Sequence, residues 1–289
     1  MTRTSKTMRA VRFVGVALLL IWSLGPIYWA LISSFMRPPD MTAVPPHYWP
    51  PVFTLEHYRN LLGAVSTFQG NAVASVWPQF SRAVLNSILV STFATIVTTA
   101  LAAFGGYAFA RMTFPGRDTI FIGIIATLAI PAYTVMIPLY RMMVSAGLVD
   151  TYLGVTLVHT TTFLPLALWL MRGTYKALPI SLEEAAALDG AGRIYTLCFI
   201  VMPLAAPGLV AAAILTFLGA WGQFIVPLVF SPTLATKPLT VLITEFVARN
   251  YVDYGLMNAA GILTAIPPLF VVIFLNRFLV RGLSAGANK

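Results

Sequence analysis

Ser181-Leu-Glu-Glu-Ala-Ala-Ala-Leu-Asp-Gly190 is a polar island between two long apolar segments, and Ile200-Val-Met-Pro203 follows it closely. Three of the nine acidic residues, Glu183, Glu184 and Asp189, lie within it. Ser181 followed three residues later by Glu184 has the form of a capping box, in which each side chain satisfies a free amide at a helix start. Glu, Ala and Leu favour helix, and Gly190 suits the left-handed residue that closes one. The stretch therefore predicts a helix over Leu182 to Asp189, a turn at Gly190-Ala191-Gly192, and a second helical piece leading to a span at Pro203. Connections in helical bundles usually take about 2–8 residues. A folded, charged helix in this place points to a meeting with a soluble partner; a tidy interhelical loop is the alternative that a capping box alone leaves open.

Outside the island the chain is apolar. Hydrophobic residues make up 58% of the 289 and charged residues 9%, whereas a soluble globule is about a quarter charged. With a mean hydropathy of +0.84, this is expected to be an all-α integral membrane protein. A span needs about 20 apolar residues, and five gaps between charges supply one each: Phe13 to Met36, Ala83 to Ala110, Thr119 to Tyr140, Thr151 to Met171 and Tyr254 to Asn276. The longer gap from Ile194 to Thr236 holds Pro203, Pro207, Pro227 and Pro232. It reads as one span, Leu204 to Gly222, followed by an apolar segment that does not cross. Six transmembrane helices result.

Six spans put both termini on one side, and the Lys/Arg bias makes that side cytoplasmic. It collects Arg3, Lys6, Arg9, Arg12, Arg111, Arg117, Arg172, Lys176, Arg193, Arg277, Arg281 and Lys289, twice as many as the opposite side. Topology thus explains the net charge of +9, with no basic run interleaved with aromatics to suggest nucleic acid. The expected order is a cytoplasmic N-terminus (1–12), a first span (13–36) retained as an uncleaved helix, an extracytoplasmic loop (37–82), a core of five spans (83–276) with a cytoplasmic loop at 172–203, and a cytoplasmic tail (277–289). The external loop is rich in Pro and partly extended. Within it Thr54 to Leu62 reads as a short helix with Thr54 at the N-cap and Leu55, Tyr58, Leu61 and Leu62 on one face. The tail, from Gly282-Leu283-Ser284-Ala285-Gly286 to Lys289, is too polar and glycine-rich to be expected as packed helix.

Chemistry-bearing residues are sparse. Three histidines and one cysteine, Cys198, offer neither a catalytic constellation nor a metal site. No Gly-Lys dipeptide exists to build a phosphate loop, so no cofactor is expected on this chain and hydrolysis of a nucleotide would fall to another. An ion-coupled secondary transporter places ionisable groups near the midplane; His159 alone lies within a span. Candidate solute-pathway residues are His159 and Thr161 in the fourth span, and Trp221 and Gln223 at the end of the fifth. For His159 a hydrogen bond to a neighbouring helix is the preferred reading.

Glu184-Ala185-Ala186, three residues, Gly190, nine residues, Ile200, then Met202-Pro203 resembles the loop that defines binding-protein-dependent ABC importer permeases, with Met202 where leucine is usual. Asn86-Ser87, Gly106-Tyr-Ala-Phe-Ala-Arg111 with Phe114-Pro-Gly116, Ile137-Pro-Leu-Tyr140 and Gly282-Leu-Ser-Ala-Gly286 resemble the maltose-type, carbohydrate-importing subfamily, in its smaller permease subunit. The resemblance covers nearly the whole chain. It implies a type I ABC importer permease fold in a bacterial or archaeal inner membrane. The partners it implies are a second, homologous permease subunit, two copies of a cytoplasmic ATPase holding ATP and Mg, and an extracytoplasmic solute-binding protein. Glu183, Glu184, Ala185, Ala186, Asp189, Gly190 and Pro203 would couple to the ATPase, with Glu184 facing basic residues there, and Gly282 to Gly286 would enter between the ATPases. Sugars, oligosaccharides, polyols, glycerol 3-phosphate and related phosphodiesters are all carried by such systems. The lack of cations within the spans favours a neutral carbohydrate.

Overall fold

Helices are what long apolar runs must form where no water satisfies the backbone, and helices dominate the computed structural model. It describes residues 6–64, 66–68, 71–73, 75–248 and 251–287. Four helices are long and apolar enough to cross a membrane, and six spans result if each of two bent pairs counts as one. The chain divides into two units, Met1–Phe80 with Leu242–Ile266, and Ser81–Val241 with Pro267–Lys289. The three boundaries each fall inside a helix.

In the first unit, α1 (Lys6–Ser33) is apolar on all sides. Its large side chains stay uncovered, Trp22 at 84% exposure, which costs little where the surroundings are hydrocarbon. α2 (Pro38–Met41) is held by an ion pair of Arg37 with Asp40 at 3.0 Å. The short helix expected in the external loop is α3 (Glu56–Leu61), where Thr54 Oγ1 accepts the Glu56 amide at 3.2 Å but the N-cap position falls to Leu55. Its buried face also differs from expectation. His57, Asn60 and Leu61 are covered, whereas Leu55 and Leu62 are exposed. Polar anchoring decides this orientation: His57 Nε2 lies 2.9 Å from the Met36 carbonyl, and Asn60 accepts the Val76 amide and the Ser75 hydroxyl. The hairpins β1 (Ser66–Phe68) with β2 (Asn71–Val73), and β3 (Val247–Ala248) with β4 (Tyr251–Val252), are antiparallel. Asp253 then caps α14 (Tyr254–Ala287), accepting the Leu256 amide at 2.8 Å.

The second unit is organised around α4 (Trp77–Arg111) and α7 (Tyr152–Ala177). Thr151 caps α7 through the Gly154 amide at 3.0 Å. The two helices approach closely where α4 has glycine. A Cβ on Gly106 would sit 2.6 Å from the Cβ of Met171 and 3.1 Å from the Arg172 amide, and one on Gly105 would meet Leu168. α11 (Ala206–Gly222) packs on the opposite flank of α7, with Gly208 against Thr174 and Gly219 against Phe163. Small residues at these crossings let van der Waals contact replace the hydrophobic drive that lipid removes. Tyr107, Leu168, Met171, Tyr175, Val201 and Ala211 form the core.

The spans depart from their expected bounds. The helices of the first two begin at Lys6 and Trp77 rather than at Phe13 and Ala83, because polar residues at a span's edge can continue its helix. The third is broken: α5 (Arg117–Ala126) and a short 3₁₀ turn end before Pro131, and α6 (Ala132–Ser145) begins after it, because proline blocks continuation of the helix before it. The fifth is α11, but a helical piece over Arg193–Leu204 meets it at Ala205 with a 78° bend. That piece comprises α9 (Arg193–Tyr195), a π turn (Thr196–Val201) and α10 (Met202–Leu204). The last helix does not stop near Asn276. α14 continues through Gly282, Leu283, Ser284, Ala285 and Gly286 to Ala287, correcting the expected non-helical tail; extending a formed helix avoids the cost of nucleation. Likewise residues 172–177, expected in the cytoplasmic loop, are the last turns of α7.

At the other end of this unit, polar side chains tie down the apolar segment after α11, which holds α12 (Ile225–Phe230) and α13 (Leu239–Leu242). Asn86, fully buried, donates to the carbonyls of Leu234 and Lys237 at 3.1 and 2.9 Å and accepts from Tyr152 at 2.6 Å. Ser87 accepts the Leu239 amide at 2.8 Å, and Asp150 accepts from Thr233 and Thr236. Irregular backbone here is satisfied by side chains rather than by a ladder.

The α4–α7 approach is the most exacting of these contacts. Gly106→Leu is expected to destabilise the protein by about 1–3 kcal/mol through overpacking, whereas Gly173→Ala, with nothing within 4 Å, should be neutral. Thermal unfolding of the two variants in detergent checks this.

Candidate functional site

The polar island folds as α8 (Ser181–Leu188), but it does not begin as the sequence suggests. Ser181 is already helical and no side chain caps the helix; the first turn is closed by backbone bonds from Leu182 to Pro179 and from Glu183 and Glu184 to Ile180. The expected Ser181–Glu184 capping box is therefore absent. Pro179, which has no amide to leave unsatisfied, starts the turn two residues earlier than a serine cap would place it. The far end follows expectation. Gly190 has φ +81°, its amide donates to Ala187 at 3.1 Å, and the Ala191 amide reaches Ala186 at 2.9 Å. This pair of bonds is a Schellman closure, which requires a left-handed residue.

Adjacent carboxylates on α8 have different fates. Glu183 turns inward, where Oε1 accepts from Arg111 Nε at 2.7 Å and Oε2 from the Tyr107 hydroxyl at 2.7 Å. Arg111 uses a second nitrogen, Nη2, to donate to the Leu178 carbonyl at the end of α7, also at 2.7 Å. Glu184, Ala185 and Asp189 are exposed while Ala186 is buried, and Leu188 stands out at 90% exposure. Ile194, Tyr195 and Phe199 on the following helical piece are exposed too; Pro203 is an exposed residue of α10. A cleft of about 410 Å³ opens beside α8, lined among others by Tyr107, Arg111, Ile180, Glu184 and Arg193.

A second arginine braces the same end. Arg172 donates to Asp118 at 2.7 Å and to the Phe109 carbonyl at 3.2 Å, and its guanidinium lies 4.0 Å above the Phe121 ring. Tyr107 packs edge-on to buried Tyr175 at 5.7 Å. Arg111, Tyr107 and Arg172 were not among the site residues expected from the sequence, although Tyr107 and Arg111 are four residues apart and so share a helix face.

The expected pathway residues make local contacts. His159 is buried and stacks on Phe163 at 6.1 Å, but its Nδ1 has no hydrogen-bond partner, so the expected cross-helix bond is not made there. Thr161 is exposed and donates to the Val158 carbonyl of its own helix. Trp221 is buried and stacks on Phe217, while Gln223 Oε1 accepts the Phe224 amide. Among the described residues no group of three or more His, Cys, Asp or Glu side chains is placed to hold a metal. The tail positions Gly282 to Gly286 are helical, and their side chains lie outside the described residues.

Residues 104–285, which include α8 and its brace, match the family described as binding-protein-dependent transport system inner membrane component. The chain belongs to that family. It is 35% identical to the osmoprotective compounds uptake permease of Synechocystis, over 99% of this chain and 97% of that one. It is 32% identical to the trehalose transport system permease of Mycobacterium tuberculosis, over 96% and 94%, and 29% identical to the trehalose/maltose transport system permease of Thermococcus litoralis, over 97% of each. Among solved structures, a chain of a bacterial ABC transporter involved in import of the acidic polysaccharide alginate superposes with a TM-score of 0.79 at 21% identity, covering 96% of this chain and 99% of that one. The fold is that of a type I ABC importer permease.

Within this permease the Gly190 closure is testable by backbone preference alone, since nothing lies within 4 Å of a Cβ there. Asn tolerates the left-handed region and Val does not. Gly190→Val is expected to cost about 1–2 kcal/mol at the turn and to lower activity of the assembled transporter well below that of Gly190→Asn, as measured by solute uptake.

Proposed function

We propose that this permease is one of two transmembrane subunits of an ATP-driven importer, working with a homologous permease, a pair of cytoplasmic ATPases and an extracytoplasmic solute-binding protein, with both its termini in the cytoplasm. The observation that carries the proposal is α8, a helix outside the spans that presents Leu188, Glu184 and Asp189 to its surroundings and is braced from behind through Glu183. An exposed leucine of this kind, flanked by carboxylates, suits a cleft with an apolar floor and basic rim on a soluble partner. ATP and Mg belong to that partner. The chain itself contributes no phosphate loop.

Closure of the ATPases would draw the two coupling helices together, and rigid-body rotation of the attached spans would open the cavity towards the docked binding protein. The solute class most in keeping with the relatives is a neutral sugar, oligosaccharide or polyol, since trehalose/maltose, trehalose and diacetylchitobiose systems stand among them. The Gly282 to Gly286 stretch, as the end of a continuous helix, would reach the ATPases as a rod.

Glu184→Lys reverses a charge on the partner-facing side without touching the Glu183 brace. It should reduce recovery of the ATPase with the tagged permease about tenfold or more, while membrane insertion stays normal; undiminished recovery contradicts the docking role. Uptake into vesicles should require ATP and resist protonophores and sodium ionophores.

A further inference from the structure

α8 hangs between two joints. On one side the chain leaves α7 at Leu178, whose ψ of 141° is extended, and turns at Pro179; on the other it turns at Gly190, with φ +81°. Each joint is closed by only two or three backbone hydrogen bonds within α8 and its flanking residues, which shape the turn but do not tie the helix to its neighbours, so contacts on its sides fix its direction. One side is Ala186, buried. The other is Glu183, with its two oxygens held by Arg111 and Tyr107 from α4.

We infer that Arg111 and Tyr107 are positioning residues that lock α8 to α4 through Glu183, so that a displacement of the exposed side of α8 passes into α4 instead of being absorbed at the two joints. This deepens the proposed function and rests on it. Arginine is required for geometric reasons. Nε takes the Glu183 carboxylate and Nη2 the Leu178 carbonyl, so one planar group braces both the start of α8 and the last turn of α7. A lysine ammonium, a single point on a flexible stem, cannot serve two acceptors in that fixed fork. The pair is partly shielded from salt and water, with side-chain exposures of 12% for Arg111 and 14% for Glu183 at the wall of the cleft, and removal of either partner strands a partly desolvated charge. Tyr107 supplies the remaining oxygen's donor while its ring is fixed edge-on by Tyr175.

The two neighbouring carboxylates of α8 thereby divide the work. Glu184 is exposed and available to a partner; Glu183 is consumed by the brace. The expectation that Glu183 contacts the ATPase is replaced by a role behind the contact. Arg172 reinforces the same block, linking α7 to the last turn of α4 and to Asp118 at the start of α5.

The test uses the complete complex with its ATPase and binding protein in proteoliposomes, comparing Arg111→Lys, Glu183→Gln and their combination. Each single variant should retain the ATPase yet transport about tenfold less solute per ATP hydrolysed, and the combination should be no worse than either alone, because both remove one interaction. Tyr107→Phe, which keeps the ring packing and loses only the hydroxyl, should give a smaller loss in the same direction. Unchanged coupling in Arg111→Lys and Glu183→Gln, or losses that multiply in the combination, would overturn the assignment. A second measurement is independent of hydrolysis: spin labels at exposed Leu188 and Met112, in a Cys198→Ser background, should give one narrow distance that broadens in Glu183→Gln. An unbroadened distance overturns the brace. Failure of the importer reading itself is distinguishable, since wild-type permease would then recover no ATPase.

Discussion

The ion pair between Arg111 and Glu183 is the interaction on which the α8 end of the second unit depends. Charged residues are few, and the spans are packed by small side chains that slide as readily as they hold. Gly105 and Gly106 allow α4 to touch α7, and Gly208 and Gly219 do the same for α11, but dispersion contacts of this kind are individually weak and carry no fixed register. A charge-assisted bond in a half-dry corner is directional and costly to break. It ties a short helix between two turns to a 35-residue helix. The opposite end of that helix is held comparably, by Asn86 bonding to Leu234, Lys237 and Tyr152. α4 is therefore tied by polar groups towards each of its ends and packed closely on α7 between them.

Much of this was legible in the sequence, and what was not has a physical reason. Apolar length found the long helices, four of them long and apolar enough to cross a membrane and six spans if each of two bent pairs counts as one, because hydrocarbon leaves a helix no alternative. It could not find the 78° bend at Ala205 or the continuation of α14 to Ala287, since both are set by what the helix ends pack against or propagate from. Gly190 was legible because a left-handed closure admits few other residues. The capping box was not, because Pro179 and a backbone-closed turn pre-empted Ser181. The inward turn of Glu183 was concealed for a different reason: local spacing cannot tell which of two adjacent carboxylates meets an arginine 72 residues earlier. The four-residue spacing of Tyr107 and Arg111 was the available signal, and it gains meaning only once their partner is known.

The family and the residues speak to different parts of the mechanism. Kinship fixes the family and the fold. The local contacts of His159, Thr161, Trp221 and Gln223 do not build a sugar site by themselves. What this chain specifies in detail is an exposed α8, a glycine closure and a brace into α4.

The account stands most directly on the composition of the native assembly. The tagged permease should be purified from its own membrane, its co-purifying subunits identified, and ATP hydrolysis measured in lipid with the recovered binding protein and a panel of sugars and polyols. Recovery of a second permease, an ATPase and a binding protein, with hydrolysis stimulated by a neutral carbohydrate, is the predicted result. Recovery of this chain without an ATPase, with uptake abolished by protonophores, would contradict it.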